Sequence, residues 1–253
     1  VTGFERFDLT GRVAVVVGGS RGMGAAMSVG LARAGAEVMV VSRKFDACAE
    51  LAARITAETG RRAVPHACHI GHWAEVDALA DAAYATFGRV DVLINNAGMS
   101  PVYPDVTELT EELYDKVLDV NLKGPFRLTS LVGSRMAATE RGGSVIFVSS
   151  VEAVRPGVTA IPYAAAKAGI NNLTLSFAHL LGPRVRVNCI MPGAFLTDVS
   201  RHWDMAEFRR RAQSHALRRA ATADEVVGTA LYLAGDASSF TTGAVLRVDG
   251  GYV

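Results

Sequence analysis

Short apolar runs recur along the chain at regular intervals: "RVAVVVGG" (12–19), "AEVMVVSR" (36–43), "VDVLINNAG" (90–98), "SVIFVSS" (144–150), "VRVNCIMPG" (185–193) and "AVLRVDGG" (244–251). Each is rich in β-branched residues, nearly continuous rather than alternating, and closed by Gly, Ser or Asn, which is how strands buried on both faces read. Between them lie Ala- and Leu-rich stretches of helical length, at 22–34, 46–59, 72–87, 108–139, 161–182 and 222–234. A weaker apolar segment at 62–66 completes seven strands. Alternation of strand and helix predicts right-handed βαβ units and a doubly wound parallel seven-stranded sheet with helices on both faces. No repeat, low-complexity segment or linker divides residues 1–253, so a single domain is expected. One stretch, 194–221, is Arg-rich and poor in β-formers. Insertions after a strand's C-terminal end sit over the ligand crevice of such sheets, so this stretch is a candidate substrate lid.

Composition changes this picture little. Half of the 253 residues are hydrophobic and a fifth are charged, with a formal charge of +1, which gives no global attraction to nucleic acid or to an acidic membrane. The three cysteines, Cys48, Cys68 and Cys189, are odd in number and widely separated. They predict no disulfide framework and fit a reducing cytoplasm. The opening "VTGFERFDLTGR" has no apolar core of a signal peptide, and no run reaches bilayer-spanning length. A soluble cytoplasmic protein is expected, without a membrane or nucleic-acid partner.

The first strand leads into "VVVGGSRGMGAA", in which Gly18, Gly22 and Gly24 form G-x-x-x-G-x-G between a buried strand and a helix. Glycines there permit a tight turn and let backbone N–H groups approach a pyrophosphate at the helix N-terminus. The second strand ends "VVSRK". An acidic residue at that point would bind the ribose 2′-hydroxyl of NAD, whereas an arginine suits the 2′-phosphate of NADP. The residues present are Ser42 and Arg43, with Arg21 of the glycine loop able to approach the same phosphate.

With the glycine loop, "NNAG" (95–98), Asn121, Ser150, "YAAAK" (163–167) and "PG" (192–193) in this order, the chain closely resembles the short-chain dehydrogenase/reductase family over essentially its whole length. The resemblance implies a Rossmann-type fold and a catalytic set of Asn121, Ser150, Tyr163 and Lys167. It further implies cofactor contacts from Gly18, Ser20, Arg21, Gly22, Met23 and Gly24, from Ser42 and Arg43, and from His69 and Ile70. Asn96, Ala97 and Gly98 would form the floor of that site, Tyr163, Lys167, Pro192 and Gly193 would meet its nicotinamide end, and Thr197 would bond the carboxamide or the diphosphate, or else cap a helix. The group within the family that it looks most like is the 3-oxoacyl-carrier-protein reductases, which overlap in sequence with sugar and steroid dehydrogenases. NADP(H) is therefore the expected cofactor ahead of NAD, and the partner a small carbonyl or alcohol, alternatively one carried on an acyl carrier. The helices at 108–139 and 161–182 imply a homotetramer or dimer. A nucleotide sensor without turnover is the competing class, and the intact proton-transfer set argues against it.

The chemistry can be argued from the residues too. Reducing a ketone needs a hydride and a proton for the developing alkoxide. A phenol titrates near ~10 and is a poor base at neutral pH. A lysine four residues on shares the helix face of Tyr163, and its charge is expected to lower the phenol's pKa. Ser150 would donate to the substrate oxygen, and Asn121 would, by the resemblance, hold a water linking Lys167 to solvent. Met99, Val102, Glu152, Val154, Phe195, His202 and Trp203 are candidates for the substrate pocket, Glu152 either binding substrate or pairing with Arg155.

Two positions depart from the family pattern: Val17 where threonine is common, and His69 where an aspartate commonly meets the adenine amino group. The stretch "HACHIGH" brings His66, Cys68, His69 and His72 together, but strand alternation sends His69 away from His66 and Cys68, and no supporting carboxylate is expected nearby, so no metal is assigned. The run "EFRRRAQSHALRRA" (207–220) lacks interleaved aromatics and reads as a solvated lid helix, with contact to an acidic carrier or a phosphorylated substrate tail as its other use.

Overall fold

The computed structural model describes residues 3–101, 103–197 and 205–252. Its main strands are β1 (Val13–Val17), β2 (Glu37–Ser42), β3 (Ala63–Ala67), β4 (Val92–Asn95), β5 (Gly143–Val148), β6 (Val185–Pro192) and β9 (Val245–Val248). They form one sheet of order β3-β2-β1-β4-β5-β6-β9, parallel throughout. The predicted seven strands are all present. Along β1 all five residues are buried, because both faces are covered. Val15 and Val17 pack with Leu79, Leu128 and Ile170, whereas Ala14 and Val16 pack with Met27, Leu31, Ile55 and Leu233. Each such aliphatic side chain contributes roughly 1.5–3 kcal/mol when withdrawn from water.

Helices α1 (Gly22–Arg33), α2 (Phe45–Thr59) and α8 (Val227–Ala234) cover one face; α3 (Trp73–Phe87), α5 (Gly124–Ala137) and α6 (Ile161–Leu181) cover the other. The chain leaves β1 towards β2 and β3, then crosses back to β4 on the other side of β1. That reversal opens a crevice at the C-terminal strand ends.

The long helix expected at 108–139 is divided. Helix α4 (Glu111–Leu118) passes through a π-turn at Asp119–Lys123 into α5. Pro125 lies four residues after Asn121 and has no N–H to give that carbonyl, so the α-helical ladder cannot run straight through. Gly124 lets the bend press against β3's end, since a Cβ there would lie 1.9 Å from the Ile70 carbonyl oxygen.

The irregular stretch 194–221 is more ordered than its composition suggests. It contains α7 (Met205–Gln213), and its two ends are joined by a parallel pair, β7 (Phe195–Leu196) with β8 (Ala221–Thr222). The last helix starts later than predicted because residues 223–226 form a 3-10 turn, held by a capping box between Thr222 and Glu225. Among the described residues no helix is long and apolar enough to cross a membrane.

Candidate active site

The glycine loop follows β1 and is tied to β2, the N–H groups of Gly18 and Gly19 both donating to the Val41 carbonyl at 2.8 and 3.0 Å. Its glycines are required by space and conformation. Gly18 (φ +74°) and Gly22 (φ +53°) are left-handed, and a Cβ on Gly24 would lie 1.9 Å from the Gly18 carbonyl oxygen. The residues after β4 complete the floor: Asn96 donates from Nδ2 to the Gly18 carbonyl at 3.0 Å, and a Cβ on Gly18 would lie 2.7 Å from Cα of Ala97. Thr197 borders Gly22, its Cβ 3.3 Å from the position a Gly22 Cβ would take.

Helix α1 begins at this loop with no side-chain cap and no acidic residue in its first turn. Helix α4, by contrast, is capped by Thr110 and carries Glu111 and Glu112. The first N–H groups of α1, with the positive end of its dipole, are therefore left for an anionic ligand. A dinucleotide pyrophosphate fits this cradle, in which a single added methyl group would collide with backbone. Arg21 and Arg43 are both exposed beside it, and among the described residues neither forms an ion pair. The Ser42 hydroxyl is turned into its own loop, accepting from the Lys44 N–H at 3.3 Å.

The candidate catalytic residues gather where β5 ends. Ser150 begins a 3-10 turn, its Oγ accepting the Glu152 N–H at 3.2 Å. The same hydroxyl is near enough to the Tyr163 phenol to favour its ionised form. Lys167, one turn further along α6, is 4 % exposed, and its Nζ donates to the Val148 carbonyl at 2.8 Å while lying 5.6 Å from the Tyr163 ring centre. Burial lowers its pKa to about 8. Asn121 is buried in the π-turn, its Nδ2 donating to the carbonyls of Met99 (2.8 Å) and Val117 (2.9 Å) while its Oδ1 accepts the Met99 N–H at 3.2 Å. Gly98 makes room for this group, since a Cβ there would lie 2.9 Å from Asn121 Oδ1 and 3.5 Å from Lys167 Nζ. Asn121, Ser150, Tyr163 and Lys167 are thus brought to one end of the sheet, and Asn121's side chain is spent on backbone groups, leaving only its main chain to face a water.

Several expectations need correction. The Tyr163 phenol stands above, not below, its ordinary pKa, because burial outweighs the effect of the Ser150 hydroxyl and the Glu152 carboxylate adds to the rise. Glu152 does not pair with Arg155: its Oε2 accepts the Gly157 N–H, while the Arg155 guanidinium lies over the Tyr252 ring. Phe195 is buried in the core on the α1 face, packed with Ile190 and Val226, and borders only a small cavity beside Leu217 and Asp249. Val102, His202 and Trp203 lie outside the described residues. Gly193 meets Asp249, whose Cα would be 2.8 Å from an added Cβ, so tight packing as well as a ligand explains "PG". A carboxylate does support the histidine cluster, since Glu75 accepts the His69 N–H and bonds His72 Nδ1, both at 2.7 Å. His69 stacks on His72 with 4.0 Å between ring centres, and its pKa is lowered by burial, then by His72 and Arg43. Cys68 beside them is pushed up to about 12 by burial, unfavourable for a thiolate ligand.

Sequence reasoning missed two supports of the cluster. Ser149 donates to the Lys167 carbonyl at 3.1 Å, binding α6 to the end of β5; its place in the "VSS" strand end was the available signal. The Tyr103 hydroxyl accepts the Ile161 N–H at 3.0 Å, satisfying the first turn of α6 from 58 residues away, and nothing local marks it.

Known proteins resemble this chain in both sequence and fold. Residues 17–253 match a family model described as enoyl-(acyl carrier protein) reductase. A D-threitol dehydrogenase of Mycolicibacterium smegmatis is 35% identical, over 97% of this chain and 94% of that protein. A gluconate 5-dehydrogenase from Burkholderia cenocepacia, solved with NADP and tartrate, superposes with a TM-score of 0.92 at 33% identity, covering 98% of each chain. A 7α-hydroxysteroid dehydrogenase solved with NADH and a 7-oxo bile acid superposes with a TM-score of 0.93 at 31% identity, over 98% of this chain and 97% of that one. With a matched fold and matches across nearly its full length, the chain belongs to the short-chain dehydrogenase/reductase family of oxidoreductases.

Proposed function

We propose that the protein interconverts a ketone and a secondary alcohol with NADP(H), Tyr163 giving or taking the proton. The observation that carries this reading is the gathering of Ser150, Tyr163 and Lys167 at the end of β5, with the buried Lys167 Nζ 5.6 Å from the Tyr163 ring centre. The nicotinamide cofactor, when bound, supplies or accepts the hydride. Ser150 holds the substrate oxygen and stabilises the charge growing on it. Tyr163 donates its proton to that oxygen, and Lys167 stabilises the phenolate left behind and binds the ribose beside it. Asn121 positions the Met99 loop and Lys167's surroundings. Gly18, Ser20, Gly22, Met23, Gly24 and Thr197 would hold the cofactor's pyrophosphate at the start of α1, with Asn96, Ala97 and Gly98 as the floor, Pro192 and Gly193 on the nicotinamide side, and His69 and Ile70 toward the adenine.

Arg21 and Arg43, both unpaired among the described residues, support NADP over NAD. Sugar alcohols, hydroxysteroids and 3-oxoacyl thioesters remain the substrate classes, the first two supported by the relatives' own activities. The 194–221 stretch, whose ends pair as β7 and β8, serves in this reading as the substrate lid. Exposed Tyr114, Phe126 and Leu175 on α4, α5 and α6 support a dimer or tetramer through that face. The test is oxidation of NADPH and of NADH with a panel of ketones, ketoses and β-ketoacyl thioesters. Turnover with at least one, faster with NADPH, is expected; tight cofactor binding with no turnover on any would establish a sensor instead.

A further inference from the structure

The Glu152 carboxylate stands beside the reacting groups and has no cation to neutralise it. Ser150 Oγ accepts the Glu152 N–H at 3.2 Å, and the Glu152 carboxylate is near enough to the Tyr163 phenol to raise its pKa. Its Oε2 accepts the Gly157 N–H, which one neutral acceptor could do equally well. Its natural partner Arg155 is drawn away over Tyr252, and among the described residues no Lys, Arg or His forms an ion pair with it. A half-buried carboxylate held in this way is an acceptor only, and welcomes a donor but repels a second carboxylate.

We propose that Glu152 determines substrate charge, favouring carbonyl compounds that carry a hydrogen-bond donor, hydroxyl or ammonium, a few atoms from the reacting carbon and rejecting those with a carboxylate there. The inference rests on the carbonyl–alcohol reading above. A carboxylate kept only to tie the 152–157 loop would leave selectivity indifferent to its charge.

The test uses three butan-2-ones of matched body, bearing at the far end a hydroxyl (4-hydroxybutan-2-one), a dimethylammonium (4-dimethylaminobutan-2-one) or a carboxylate (4-oxopentanoate). In the wild type, kcat/KM with the ammonium ketone should exceed that with the carboxylate ketone by at least tenfold, about 1.4 kcal/mol. Glu152→Gln keeps the acceptor for Gly157 and removes the charge. It should raise kcat/KM for the carboxylate ketone and lower it for the ammonium ketone, each by about tenfold, with the hydroxyl ketone changed less than threefold. The charged groups against the Tyr163 phenol are Glu152 and Lys167, so the variant should also move the acid limb of the alcohol-oxidation pH profile to lower pH. A wild-type ratio near one, or an unchanged ratio and pH profile in a variant that turns over the hydroxyl ketone normally, would overturn the proposal. Absence of turnover with every ketone in the wild type would instead overturn the carbonyl reading on which it rests.

Discussion

Two strand-to-helix junctions make the site, and they are built in opposite ways. At β1–α1 the chain removes side chains: three glycines, no cap and no acidic residue leave bare backbone donors facing the crevice. At β5–α6 it concentrates them, with Ser149, Ser150, Tyr163 and Lys167 packed so closely that a lysine ammonium is 4 % exposed. The first junction binds by conformation, which costs little once the loop is tied to β2. The second acts through groups whose burial opposes folding, and the rest of the protein must offset that cost. Both sit at the C-terminal strand ends of one sheet, and the difference matches what the two parts of the proposed reaction would need: a pyrophosphate, donors at close approach, and a carbonyl in reduction, a proton and a field.

Lys167→Met breaks the second junction most deeply. Turnover should fall by about a thousandfold, within the range of general acid–base contributions, and cofactor binding should weaken. Stability should move the other way. A folded pKa of about 8 against an ordinary 10.5 means the charged lysine opposes folding by roughly 3 kcal/mol at low and neutral pH. The unfolded chain holds the proton more tightly, so wild-type stability should rise as pH climbs from 8 to 10.5, closing the gap to the variant. Urea denaturation of both proteins at pH 7 and pH 10 measures this, and a variant less stable than wild type at pH 7 would contradict it.

Gly24→Ala tests the first junction. Its Cβ would meet the Gly18 carbonyl oxygen at 1.9 Å, forcing the loop open. Cofactor affinity, followed by fluorescence titration, should drop by about a hundredfold, with roughly 1–3 kcal/mol of stability lost to the displaced backbone. The two junctions are then separable: one variant loses binding first, the other chemistry first.

The smallest effect expected is on cofactor choice. One arginine–phosphate contact contributes roughly 1.5–3 kcal/mol, so NADPH should be favoured by about ten- to a hundredfold in kcat/KM. Ser42→Asp with Arg43→Ile should reverse that preference, chiefly through KM for NADPH. A wild type that prefers NADH would remove Arg21 and Arg43 from the site.

How much of this was legible follows from the same contrast. The glycine loop, the strands and the doubly wound parallel sheet could be read because they depend on local spacing and on runs that are apolar on both faces. The Tyr163–Lys167 pair was visible as a helical i, i+4 spacing. What could not be read was set by burial and by distant partners. The π-turn at Asn121 depends on Pro125 and on the close approach of Gly124 to Ile70. The raised Tyr163 pKa depends on how deeply the ring sits. The engagement of Glu75 with His69 and His72 depends on how the 69–75 turn folds back. Tyr103, reaching α6 from across the crevice, has no signal in its own neighbourhood.

The proton-donor role of Tyr163 is the centre of the account, and Tyr163→Phe tests it most directly because the change deletes one hydroxyl and keeps the ring. Single-turnover oxidation of bound NADPH by a ketone substrate, with cofactor affinity measured on the same samples, separates chemistry from binding. The account predicts cofactor affinity within about threefold of wild type and turnover reduced by about a thousandfold or more. Turnover within tenfold of wild type would contradict it.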